Sequence, residues 1–91
     1  MSIRESITKA INAEIDKWEK DIAALQAKAD AEEANAEAQK EIFEKIDTVR
    51  DAISDARYRL RKVRETGEDA VEDLRDGFRE KATRVRELMT R

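Results

Sequence analysis

The 91-residue chain contains no cysteine, histidine or proline, and its only glycines are Gly67 and Gly77. Without cysteine there is no disulfide, thiolate nucleophile or thiolate metal site, and the redox compartment is left open. Without histidine the commonest general base is missing. Nor is there a Gly-rich phosphate loop, a GxSxG elbow or an HExxH helix. Carboxylates such as Glu33 and Glu37 stand one turn apart on a helix, but carboxylate bundle sites for metals also use histidine, so these acids read as a solvated face. An enzyme is the class least supported, and no cofactor or metal is expected. No apolar run approaches the roughly 20 residues that span a bilayer. The start, Met1-Ser2-Ile3-Arg4-Glu5, lacks the apolar core of a secretory signal, so a cytoplasmic location is expected. The absence of proline has a further meaning: almost nothing here stops a helix.

What the chain does have is charge and periodicity. Charged residues make up 45% and aromatics 4%, a composition that in other arrangements stays disordered. Here both signs are interspersed and the apolar residues recur at alternating three- and four-residue steps. They run Ile11, Ile15, Trp18, Ile22, Leu25, Ala29, then Ile42, Ile46, Val49, Ile53, Ala56, Leu60, Val63. This spacing predicts an all-α protein with one narrow apolar stripe, as in a coiled coil, and such a stripe needs a partner helix to cover it. Ile11, Ile15, Trp18, Ile22, Leu25, Ile42, Ile46, Val49, Ile53, Leu60, Val63, Leu74 and Phe78 are therefore expected to form the interface of a homo-oligomer, a dimer or higher.

Ser2 and Glu5 fit a capping box, and the helical pattern runs from there to about Glu65. Unbroken, that helix would be a rod on the order of 95 Å long. Its middle, Gln26 to Glu41, is mostly alanine and charge, which favours helix even where packing adds little. Leu25 and Ile42 stand 17 residues apart, two heptads plus three, a slip that overwinds a coil. A turn near Asp30 to Glu37 would instead give a compact three-helix bundle. Only Asp30 and Asn35 offer turn chemistry there, so the continuous helix over about 2–65 is the favoured reading. The clear break is the hinge Thr66-Gly67, where glycine can end the helix. Thr66 with Asp69 resembles a cap for a second helix over about 68–90, with Gly67 as a mild kink the alternative. Glu68, Asp69, Glu72 and Asp73 at its start, and Arg84, Arg86 and Arg91 near its end, suit the helix dipole. The chain reads as one helical domain, 1–91, broken at 66–67.

Charge is unevenly placed. Residues 1–49 carry 7 basic and 12 acidic groups, residues 50–91 carry 12 and 10, and the net charge is −3. Arg57, Arg59, Arg61, Lys62 and Arg64 form a basic patch, followed by an acidic run from Glu68 to Asp76. Folding back at Gly67 would set these side by side. Antiparallel pairing of two chains about Asp47 would set the patch against Asp30 to Glu37. Both are electrostatically sensible. The patch could bind phosphate, with Tyr58 stacking on a base. Yet Arg57, Arg61 and Arg64 line one side of the Leu60–Val63 seam and Arg59 and Lys62 the other, as basic stems do when they flank a coiled coil. That placement and the negative net charge argue against nucleic acid. Trp18 is large for a two-stranded seam and suggests either three or more helices at its level or an exposed sticky edge. Val71, Leu74, Phe78, Val85 and Leu88 make the second helix's apolar face, better read as packing on a partner helix than as a lipid-seeking surface.

Three stretches, Glu14-Ile15-Asp16-Lys17-Trp18, Leu25-Gln26-Ala27-Lys28-Ala29-Asp30-Ala31 and Gly67-Glu68-Asp69-Ala70-Val71-Glu72-Asp73-Leu74 leading to Gly77-Phe78, carry a resemblance. With them the chain resembles small bacterial coiled-coil proteins rich in Ala, Glu and Lys, some labelled stress-response proteins; Val71 stands where that group often has an aromatic. The resemblance implies a bacterial cytosolic protein without known catalysis and names no ligand. The expected function is a non-enzymatic, self-associating scaffold or interaction protein, its stripe holding the assembly together. The alternatives are an amphipathic coat on lipid or polymer granules, resembling phasins, and a nucleic-acid-associated protein acting through Arg57–Arg64.

Overall fold

The computed structural model describes residues 3–90. Met1, Ser2 and Arg91 lie outside them, and with them the Ser2–Glu5 capping box and the expected place of Arg91. The protein is all-α. Helix α1 spans Ile3–Ala31 and α2 spans Ala36–Thr66; a single 3₁₀ turn, Gly67–Ala70, leads into α3, Val71–Met89. The three run up, down and up. Asp55 and Asp73 both reach Arg59, and Lys81 reaches Asp51, so positions rising along α3 meet positions falling along α2. Likewise Leu25 and Ala29 of α1 cluster with Ile46 and Ile42 of α2. The molecule measures 49 × 21 × 18 Å, about the length of one of its longer helices at ~1.5 Å per residue.

The uninterrupted helix over 2–65 is thereby corrected to two helices, and the three-helix alternative is the one adopted. The turn needs neither glycine nor proline. The Glu32 amide donates to the carbonyls of Lys28 and Ala29, and the Asn35 amide donates to Glu32. Asn35 then leaves helical geometry at φ −120° and ψ 93°, and its side chain accepts from the Ala38 amide at 3.1 Å, capping α2. Gln39 closes the hairpin by donating its side-chain amide to the Ala29 carbonyl at 3.0 Å. One short polar side chain supplies what the stripe requires, a way for α2 to return and cover α1.

That return decides where the stripe goes. Ile11, Ile15, Trp18, Leu25, Ile42, Ile46, Val49, Ile53, Val63 and Leu74 are all buried within one chain, none more than 8% exposed. Ile22, Leu60 and Phe78 are partly buried against them. The residues expected at an interface between copies thus form the core of a single closed copy. Ala52 and Ala56, both buried, join the same core and keep the helices close. Trp18 stacks on Phe78 with ring centroids 5.3 Å apart, which accounts for a tryptophan on the seam: a third helix is present at its level. The α3 face carrying Leu74, Phe78 and Val85 is turned into this core. Burying each large aliphatic side chain contributes roughly 1.5–3 kcal/mol, before the entropy of ordering is set against it.

Gly67 ends α2 with φ 80° and ψ −147°, a region nearly reserved for glycine, and its amide donates to the Val63 carbonyl. The Thr66–Asp69 cap is corrected: Thr66 stays at the end of α2, its hydroxyl donates back to the Lys62 carbonyl at 2.6 Å, and it makes no capping bond. Leu74→Ala should cost about 2–5 kcal/mol in urea unfolding, because the site is fully enclosed. Gly67→Ala should cost about 1–2 kcal/mol from its positive φ alone, since a Cβ there meets no atom within 4 Å. A loss below about 0.5 kcal/mol at either position would contradict this packing and this backbone.

Candidate interaction groove

A pair of packed helices has two long grooves between them. α3 fills one groove of the α1–α2 hairpin and leaves the other open. The open groove holds two adjoining depressions. The upper is lined by Glu19, Ile22, Arg50, Ile53, Ser54, Arg57, Tyr58 and Arg61. The lower is lined by Arg4, Glu5, Thr8, Lys9, Asn12, Leu60, Val63 and Arg64. Its floor is thus the outer edge of the seam and its rim is charged. Six basic side chains face two acidic ones on this rim, in a chain whose net charge is −3.

The structure divides the basic patch. Arg57 pairs with Glu19 across the groove, while Arg61 and Arg64 line it with Arg50 and make no ion pair among the described residues. Tyr58 is 56% exposed, and the Lys62 ammonium lies 5.6 Å from its ring centre. Arg59 points the other way, to the α3 side. There it holds Asp55 at 2.8 Å and Asp73 at 2.7 Å. The hydrogen bond it donates to Asp55 raises its pKa most, partial burial opposes this, and Asp73 adds to the rise. Of the two charge arrangements open from sequence, folding back at Gly67 is present within the chain, and Arg59–Asp73 is its tie.

Sequence reasoning located Arg57, Arg61 and Arg64 but missed Arg50, Lys9 and Arg4, which only the antiparallel return of α2 brings to the same groove. The usable signal was spacing: Phe43, Arg50, Arg57 and Arg64 lie seven apart and so share a face of α2. Phe43 is itself 46% exposed. A second missed feature is Gly77, in the middle of α3. A Cβ built there would lie 2.4 Å from Cζ and Nε of Arg59. Gly77 is a notch that lets the guanidinium cross to α3, and an isolated glycine inside a helical pattern is the mark of such an approach.

Two other grooves, along α1 and α3, mix signs. One is lined by Ile3, Arg4, Ile7, Glu68, Val71, Glu72 and Arg75 and the other by Glu14, Lys17, Trp18, Asp21, Ala82, Val85, Arg86, Met89 and Thr90. The hairpin tip, residues 28–45, is acidic on balance: Asp30, Glu32, Glu33, Glu37, Glu41 and Glu44 occur there against Lys28, Lys40 and Lys45. No helix among the described residues is long and apolar enough to cross a membrane. Fold and groove together define an antiparallel three-helix bundle with one basic helix–helix groove left open. No protein-family model, curated protein or solved structure matches the chain.

The notch gives a signed expectation. In an Arg59→Ala background, Gly77→Ala should stabilise by about 0.5–1 kcal/mol, the ordinary helix gain. With Arg59 present, the gain should shrink or reverse as the guanidinium is displaced from its two carboxylates. Additive effects in this double-mutant cycle would contradict the notch.

Proposed function

We propose that this protein is a non-enzymatic, self-associating helical scaffold, cytoplasmic and possessing the open α1–α2 groove as the surface on which a further helix docks. The observation that carries the reading is the groove itself: an apolar floor at Ile22 and Leu60, framed by Arg50, Arg61 and Arg64, which make no ion pair among the described residues. Helix-in-groove docking requires such a floor and such a rim. The chemistry that complements it is an amphipathic helix bearing acidic residues beside its apolar stripe. The resemblance to small bacterial Ala/Glu/Lys-rich coiled-coil proteins, some labelled stress-response proteins, supports a stress-related role. The granule-coat alternative draws less support, because Phe78, which it would use, packs on Trp18.

The same rim favours a second reading, contact with nucleic acid through Arg57, Arg61 and Arg64 beside exposed Tyr58. The acidic tip and negative net charge weigh against it. One experiment separates the two. A labelled synthetic acidic amphipathic helix and a labelled single-stranded DNA oligonucleotide are titrated against the wild type and the Arg61→Glu/Arg64→Glu variant at about 150 mM salt. The peptide should bind, and the variant should weaken it about tenfold or more, two reversed charge pairs being involved. Preference for the oligonucleotide would install the second reading. Binding of neither probe, or equal peptide binding by both proteins, would overturn the docking groove.

A further inference from the structure

The turn between α1 and α2 shows how copies of this chain can combine. Residues 32–35 leave the helix, yet none is glycine or proline, and no residue other than Gly67 among those described has a positive φ. The Glu32 amide still bonds back into α1. Asn35 departs from helical geometry, its ψ of 93° contrasting with about −42° in a helix. Backbone rotations within residues 32–35 therefore separate the hairpin from a straight rod. On both sides, Ala27 to Ala38, the sequence is rich in strong helix formers. The bend is held locally by three hydrogen bonds: Asn35 N–H to the Glu32 carbonyl, Ala38 N–H to the Asn35 side chain, and the Gln39 side chain to the Ala29 carbonyl. The rest of its support is burial of the seam, and burial is indifferent to which copy supplies α2.

We propose that the protein forms a swapped dimer with a second copy of itself, in which residues 32–35 become helical and α1 of each copy packs against α2 and α3 of the other. Leu25 and Ala29 then meet Ile46 and Ile42 of the second copy, Trp18 stacks on that copy's Phe78, and Glu19 pairs with its Arg57. Every seam contact is reproduced, and the turn's hydrogen bonds are exchanged for helical ones. The joined helix, 3–66, is on the order of 95 Å long, against 49 Å for the closed chain. This inference rests on the self-association part of the proposed function and leaves the docking groove intact. Each half of the dimer keeps one groove, so the swapped form is a bivalent scaffold. One term opposes it: the two acidic tips, six carboxylates and three lysines each over residues 28–45, cross at the centre. Salt screens that repulsion, so the dimer fraction rises with ionic strength.

The test uses the full chain in sedimentation equilibrium with small-angle scattering, at low salt and at about 0.5 M salt. Asn35→Ala removes the cap from both copies and should raise the dimerisation constant about tenfold or more. Ala34→Gly/Asn35→Gly, which disfavours a straight helix, should lower it. Because the chain has no cysteine, Glu19→Cys copies mixed with Arg57→Cys copies and bridged by a short bismaleimide should give a covalent dimer. A dimer near 95 Å that cross-links in this way supports the swap. A dimer that stays near 49 Å long, or does not cross-link, overturns the swap and leaves self-association standing. Monomer at every concentration, Asn35→Ala included, overturns both, while the peptide titration still decides the groove.

Discussion

The structure depends on covering one narrow apolar stripe. Isolated, a helix with the pattern of Ile11, Ile15, Trp18 and Leu25 leaves a seam facing water, and nearly half the chain is charged, so no second core is available. The α2 stripe, with Ile42, Ile46, Val49, Ile53 and Val63, is the complement that α1 needs, and the turn at 32–35 delivers it antiparallel. α3 completes the cover where the seam is widest, at Trp18. Leu74 and Val85 seal α3 to the same core, both essentially inaccessible to water. Hydrophobic burial is non-directional. It fixes that the stripe must be covered without fixing by which copy, and that indifference is why a hairpin and a long rod compete for one sequence.

Charge does a different job. An exposed ion pair is worth at most about 1 kcal/mol, so pairs such as Lys81–Asp51 do not hold the bundle together. They choose among packings of similar burial. Arg59, reaching Asp55 and Asp73 across the notch at Gly77, fixes where α3 lies along α2. The remaining basic residues cannot use the α3 acids and gather on the opposite side of the hairpin. The open groove and the arginine tie are thus two consequences of one helix, α2, presenting basic residues to both of its flanks.

Much of this was legible in the sequence. Periodicity gave the helical class and picked out the apolar stripe, although as an interface between copies, whereas the structure buries it within one copy. Gly67 marked the second break, and Trp18 signalled a third helix. The split of Arg59 from Arg57, Arg61 and Arg64 followed from their angles about the helix. The first turn was obscured because local propensity and tertiary packing point in opposite directions there. Ala31, Glu32, Glu33 and Ala34 favour helix, whereas burial of the whole stripe within one chain favours a bend, and Asn35 was the only strong cue for a cap. Thr66 misled for a related reason: its hydroxyl satisfies a carbonyl of its own helix as readily as it caps the next. The open groove was legible only in part, since Arg4, Lys9 and Arg50 join it through a topology that no local pattern announces.

One copy of the chain covers its own stripe. The most direct test is the urea unfolding midpoint, followed by Trp18 fluorescence over a hundredfold dilution into the low micromolar range. The midpoint should fall only until the swapped dimer has dissociated and then hold constant on further dilution, because the closed copy still covers its stripe. A midpoint that goes on falling at every further dilution would mean that the seam closes only between copies, and would contradict the fold described above.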